Sequence, residues 1–312
     1  MSPAMAALNK TIGATINKAR PPYAVPAYCE ARNAKIMHSK DKSVGDYAFQ
    51  RPDGAAQIFR GSPDFDAAVI TAATTLVEEH KLGQGEATDI LSISLAATDY
   101  IGHAFGTAGL EMCIQMSALD QSMGEFFDIL DSKNIDYVVM LTADHGGLDL
   151  PERMQLQGVP TAQRVDSELN AKAIGAAVAR QLDIAGEKPL LYADSPFGDY
   201  YLSLDLPADQ RDRVKASAMA LIAAHPQVET VLDRDAILAT GISSEAPEKW
   251  TLLQRARASF HPDRSGDFVV LLKKAITPIA TTGRGYVATH GSPWDYDRRV
   301  PVLFWRSGIR HF

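Results

Sequence analysis

The sequence predicts an α/β fold in which a mostly parallel sheet is flanked by helices and carries a small inserted α+β subdomain. Three observations lead there. Two short apolar runs, 88–95 and 136–142, are each followed by an Asp and a His where the chain must turn. Residues 110–133 between them have helical spacing, so the unit reads as a right-handed strand–helix–strand crossover. Such a crossover leaves both strands parallel, with their carboxyl ends on the edge where α/β sheets bind ligands. A later apolar run ends at His290-Gly291, a third cluster able to return to that edge.

The elements follow in order. Met5, Leu8, Ile12 and Ile16 recur at helical spacing until Pro21-Pro22 stops the pattern. Residues 21–63 are polar and weakly periodic, a loop-rich excursion in which 57–60 could form a short strand. Ser62 and Pro63 open a helix through Glu79 with Phe65, Val69, Ile70 and Leu76 facing inward. Gly83-Gln84-Gly85 breaks it before the first motif strand. The Met-rich apolar face of 110–133 reads as core. Beyond a polar loop at 152–161, the order helix, strand, strand, helix, strand and short helix over 166–240 describes an α+β insertion. The apolar run 268–272 is expected to return to the main sheet, and 301–305 to close it. Residues 1–165 with 266–312 would then form the core, and 166–265 the inserted subdomain.

A chain of 312 residues can build one large domain or two of ordinary size. Its net charge of −7 argues against a nucleic-acid surface. No apolar run reaches the roughly 18 residues that a membrane helix needs. The amino terminus lacks a basic segment followed by an apolar one, so it does not read as a signal peptide. Cys29 and Cys113 show no metal-ligand spacing and read as buried or idle thiols, with a disulfide left open for an exported protein.

Asp99 and His103 lie four residues apart, one helical pitch, so both side chains can reach a single ion. Asp144 and His145 are adjacent and need an irregular loop to converge, which Gly146-Gly147 can supply. Oxygen and imidazole donors without a thiolate favour zinc, or another borderline divalent metal, at a catalytic site. Arg284, Arg298 and Arg299 near His290 could meet a phosphate but read as solvated or paired. His38, His80, His225, His261 and His311 have no ligand-spaced partner and read as structural or surface residues.

The segments 98–106, 142–147 and 289–297 resemble the three metal-binding motifs of the alkaline phosphatase superfamily, in the bacterial branch allied to type I phosphodiesterases and nucleotide pyrophosphatases. The resemblance implies two zinc ions. Asp99, His103 and His290 would hold one, and Asp144 with His145 would help hold the other. It further implies hydrolysis of small phosphate monoesters through a covalent phospho-enzyme, in a periplasmic or secreted protein. No nucleic acid or membrane is expected as a partner, and no protein partner is identifiable. The sequence departs from the family where an earlier strand should end in a zinc-binding aspartate followed by a Thr or Ser nucleophile. Residues 1–63 offer Thr11, Thr15 and several serines, none following such a strand, so the nucleophile stays unassigned. The chain therefore reads as the carboxyl-terminal part of a longer enzyme. The alternatives are a phosphodiesterase or nucleotide pyrophosphatase on the same two metals, or a catalytically inactive metal-binding fragment.

Overall fold

The computed structural model describes residues 2–186, 188–283, 285–306 and 308. In chain order the first elements are α1 (Pro3–Ile16), β1 (Ile36–Met37), β2 (Ser43–Val44), α2 (Pro63–His80), α3 (Ala97–Phe105), α4 (Leu110–Ser132) and β3 (Val139–Thr142). Next come α5 (Pro151–Leu156), β4 (Gln163–Arg164), α6 (Ala171–Leu182), β5 (Leu191–Tyr192), β6 (Gly198–Leu202), α7 (Ala208–Ala223) and β7 (Val228–Asp233). The last are α8 (Arg234–Ala239), α9 (Leu252–Ser259), β8 (Phe268–Leu272), β9 (Ile276–Thr277), α10 (Asp295–Arg298) and β10 (Val302–Trp305). The chain packs as two compact units. One comprises Met1–Asp144, Gly283–Ala288 and Val300–Phe312, and the other His145–Thr282 and Thr289–Arg299.

In the first unit, α1 and α2 both begin with a proline, where a helix needs no N–H. The Ser2 hydroxyl caps α1 by accepting the Met5 N–H at 3.2 Å. The expected α2 forms, and Ile70, Ala73 and Val77 on it pack with Phe126 and Leu130 of α4. Gln57–Arg60 lie in a 3₁₀ turn, Ala56–Gly61, and not in a strand. Cys29 and Cys113 are joined in a disulfide across 84 residues, which corrects the reading as idle thiols. Cys29 is fully buried with Phe49, Ala97, Ile101, Leu110 and Ile114.

The crossover is the main correction to the sequence reading. Residues 88–96 are in no strand among the described residues. β3 pairs antiparallel with β10, Val139 opposite Trp305 and Thr142 opposite Val302. Leu91, Ile93 and Leu95 do alternate as a strand would, but their inward face packs on the α2–α4 cluster. Burial on a helix layer satisfies that periodicity without a hydrogen-bonded neighbour, so period two alone overstated the ladder. Both β3 and β10 expose large side chains, including Met140 at 60% and Phe304 at 69%.

The second unit is built on a four-stranded sheet in the order β5-β6-β8-β7, antiparallel throughout. All five residues of β8 are buried. Phe268, Val270 and Leu272 enter a cluster with Val178 of α6 and Val214 and Ile222 of α7. Val269 and Leu271 meet Ile237 of α8 and Ala256 of α9 on the other face. The run 268–272, expected to rejoin the main sheet, is therefore a central strand of this sheet. An unbroken apolar run signals only that both faces are covered, which a parallel core strand and a central antiparallel strand share. The segment 166–265 lies wholly inside this unit. Parallel pairing is limited, among the described residues, to β4 with β9. The expected polar loop at 152–161 contains α5. No described helix is long and apolar enough to cross a membrane.

Candidate metal centre

α3 presents the first pair of candidate ligands. Its apolar residues Ala97 and Ile101 are fully buried, which turns Asp99 and His103 toward the opposite, partly open face. The start of the helix is fixed from below, because the Ala97 N–H donates to the buried Asp66 carboxylate at 3.0 Å. The other oxygen of Asp66 accepts from the Gln115 amide at 2.8 Å. Burial pushes the Asp66 carboxyl above its ordinary range, and these two donors work against that rise.

Asp99 Oδ1 and His103 Nε2 lie 3.5 Å apart. That is long for a good hydrogen bond. It is close to the separation of two ligands around one tetrahedral zinc, about 3.3 Å for bonds of ~2.0 Å. The imidazole is held from behind, with its Nδ1 donating to the Ala288 carbonyl at 2.9 Å. Since a carbonyl can only accept, the proton sits on Nδ1 and Nε2 carries the lone pair of the ring. The N–H groups of Val287 and Ala288 donate to the His103 carbonyl at 2.7 and 3.2 Å, and Tyr286 stacks on the ring at 4.9 Å. A backbone strap thus fixes the rotamer.

The second pair belongs to the other unit. The rings of His145 and His290 stack with centroids 3.4 Å apart and planes 15° apart. His145 Nδ1 donates to the Gly146 carbonyl at 2.8 Å, so here too Nε2 carries the lone pair of the ring. The two loops are tied by their backbones: the Gly146 N–H donates to the Asp297 carbonyl at 2.7 Å, and the Leu148 N–H to Thr289 at 3.4 Å. Only glycine fits at 146, since a Cβ there would stand 2.1 Å from the Tyr296 carbonyl oxygen. The Trp294 indole N–H donates to the Leu272 carbonyl at 3.0 Å and anchors the loop after His290 to β8. Asp144 is exposed just beyond the end of β3 and ends the first segment of the first unit.

Asp297, at the end of the third motif, is only 5% exposed. Its Oδ2 accepts the Ser292 backbone N–H at 2.7 Å. Burial pushes its carboxyl up, while the bonds from Ser292 and the nearby imidazoles of His290 and His145 pull it down. Tyr286, against His103, was also missed, because an aromatic beside a turn glycine carries no ligand signal.

Arg298 and Arg299 are paired, as the plain reading had them. Arg298 pairs with Asp295 at 3.3 Å and donates to the Pro247 carbonyl, and the exposed Arg299 lies 3.9 Å from Asp295. His225 lies 3.7 Å from Asp166, and His261 Nδ1 accepts the Asp263 N–H. Arg284 and His311 lie outside the described residues.

The fold is that of the alkaline phosphatases: the crystal structure of the alkaline phosphatase PafA superposes with a TM-score of 0.78, covering 100% of this chain and 60% of that one at 22% identity. The family model for type I phosphodiesterase / nucleotide pyrophosphatase matches residues 6–293, and the chain belongs to that family. Alkaline phosphatase PhoK of Sphingomonas sp. is 46% identical over 312 residues, which are 100% of this chain and 56% of PhoK. Alkaline phosphatase PhoD of Zymomonas mobilis is 42% identical over 281 residues, 90% of this chain and 49% of PhoD. The chain spans about half the length of these curated relatives.

Proposed function

We propose that this chain supplies the metal-binding part of a zinc-dependent hydrolase of small phosphate monoesters. The observation that carries the reading is the preparation of the imidazoles. His103 and His145 each have Nδ1 committed to a carbonyl, and His145 is stacked on His290. Carboxylate and imidazole donors without sulfur suit zinc at a catalytic site. By the resemblance of their motifs, Asp99, His103 and His290 would bind one zinc, and Asp144 and His145 would contribute to a second. Stacked rings from two ligand sets fit a pair of ions about 4 Å apart. Zinc, when bound, would polarise a phosphoryl oxygen and lower the pKa of a coordinated oxygen nucleophile. The chain's own residues hold the ligands: Ala288 and Gly146 orient the rings, and Tyr286 covers one face of His103. The monoesterase reading is supported by the phosphatase names of PhoK and PhoD.

The second reading, a phosphodiesterase or nucleotide pyrophosphatase, is favoured by the family model itself. In both readings the nucleophile is unassigned, and a metal-binding chain without turnover of its own is the third. The Cys29–Cys113 disulfide supports an oxidising compartment, periplasmic or extracellular. The test loads the purified chain with zinc at alkaline pH, measures bound metal after dialysis, and assays p-nitrophenyl phosphate against bis-p-nitrophenyl phosphate. We expect about one tightly held zinc, because Asp144 and His145 fall short of the three protein ligands usual at a catalytic site. We also expect turnover far below the roughly 10 per second of ordinary enzymes. Rapid release from the monoester would identify a nucleophile within this chain, and a preference for the diester would transfer the function to the second reading. Equal zinc content in the parent and His290→Ala would overturn the metal assignment.

A further inference from the structure

Among the buried groups that the proposed chemistry does not use, Asp297 stands apart. Aspartate is rarely placed in a 5% exposed position unless something compensates its charge. Part of the compensation is visible, since Oδ2 accepts the Ser292 N–H at 2.7 Å. Its other oxygen, Oδ1, is buried without a hydrogen-bond partner among the described residues. Asp297 and His290 line the same small cavity, about 20 Å³, together with Thr289, Ser292 and Tyr296. Through its carbonyl the same residue holds Gly146, next to His145. One residue therefore holds the His145 loop by its backbone carbonyl and the His290 loop by its carboxylate, and its buried carboxylate lines the same cavity as His290.

We propose that Asp297 is a positioning residue for the metal-facing imidazoles of His145 and His290, supporting them by charge from behind without itself binding the ion. This rests on the zinc reading of the site. A negative charge near a ligating imidazole makes the ring a better donor, and losing an outer partner of a ligand typically lowers metal affinity about 10- to 100-fold. The same charge is a burden in the metal-free protein, where burial works against it. A purely structural role predicts the opposite pattern: lost stability without a specific loss of zinc.

The experiment measures zinc affinity of the full chain by chelator competition, and melting of the metal-free protein, for Asp297→Asn and Asp297→Glu. His145→Ala and His290→Ala are run beside them. Asp297→Asn keeps an oxygen for the Ser292 N–H and removes the charge. We expect it to melt within a few degrees of the parent while binding zinc about 10- to 100-fold more weakly. Asp297→Glu, which keeps the charge, should bind more tightly than the Asn variant. Zinc affinity of Asp297→Asn within twofold of the parent, while the histidine variants lose theirs, overturns the inference and leaves the zinc reading standing. Parent-like affinity in the histidine variants removes the zinc reading, and this inference with it. Should Asp297→Asn fail to fold, Asp297→Glu is compared with the parent: affinity within tenfold supports the role, and a loss as large as that of His290→Ala overturns it.

Discussion

Gly146→Ala tests whether the tie between the His145 and His290 loops is structural necessity. An alanine Cβ would sit 2.1 Å from the Tyr296 carbonyl oxygen and 3.1 Å from its carbon, against an ordinary contact of 3.4 Å or more. The oxygen must therefore move by about 1.3 Å, and it belongs to backbone that cannot swing aside like a side chain. Forcing an extra carbon into packed structure costs about 1–3 kcal/mol. The shift also stretches the 2.7 Å bond from the Gly146 N–H to Asp297, worth about 1 kcal/mol more. A total of roughly 2–4 kcal/mol corresponds to a fall in Tm of about 5–15 °C for a unit of this size. Displacement of an Ångström at ligand loops should weaken zinc binding by about 100-fold as well. The assay is calorimetric melting of the metal-free protein together with zinc competition. Gly13→Ala is the control, since that helical glycine has nothing within 4 Å of its would-be Cβ and should gain up to about 1 kcal/mol. A Gly146→Ala protein that melts within 1–2 °C of the parent would refute the reasoning.

Three further outcomes follow from the packing. Replacing Cys29 and Cys113 together by alanine opens an 84-residue loop, which should cost about 2–5 kcal/mol in denaturant unfolding; an unchanged midpoint would show that the bond contributes nothing. Asp66→Ala removes the acceptor of the Ala97 N–H and the shorter of two bonds from the Gln115 amide and should cost about 2–4 kcal/mol, with thermal melting as the readout and a change below 1 kcal/mol as the refutation. Met140 and Phe304 are exposed cross-strand partners on β3 and β10, so Met140→Lys with Phe304→Glu should suppress self-association in light scattering without lowering Tm; equal association would locate the sticky surface elsewhere.

The candidate clusters stood out in the sequence because chemistry restricts them. Asp and His at one-pitch spacing, or beside paired glycines at a strand end, have few other uses together. Strand partners were less legible. Residues 88–95 carry the same alternation whether a ladder or a helix layer covers them, and here Leu91, Ile93 and Leu95 lie on α2 and α4. The continuous run 268–272 reported burial on both faces but could not report antiparallel neighbours. The disulfide gave no signal, because two cysteines 84 residues apart have no spacing to read. Asp297 was hidden beside Asp295: in sequence they are two acids around Tyr296, while in the fold one side chain is half exposed and the other residue is 5% exposed.

What orients the candidate ligands is mostly backbone, and this decides which substitutions matter. The Nδ1 atoms of His103 and His145 donate to the carbonyls of Ala288 and Gly146, groups that every residue possesses. A change of side chain at Ala288 leaves its bond available so long as the chain keeps its path. The path is set by the two N–H bonds of Val287 and Ala288 to His103 in one unit, and by the Gly146–Asp297 bond in the other. Ligand geometry is therefore sensitive at residues that shape the loops and tolerant at residues whose carbonyls merely serve them. Gly146, which no larger residue can replace, and Asp297, which acts through both its carbonyl and its carboxylate, are the positions where that distinction is sharpest.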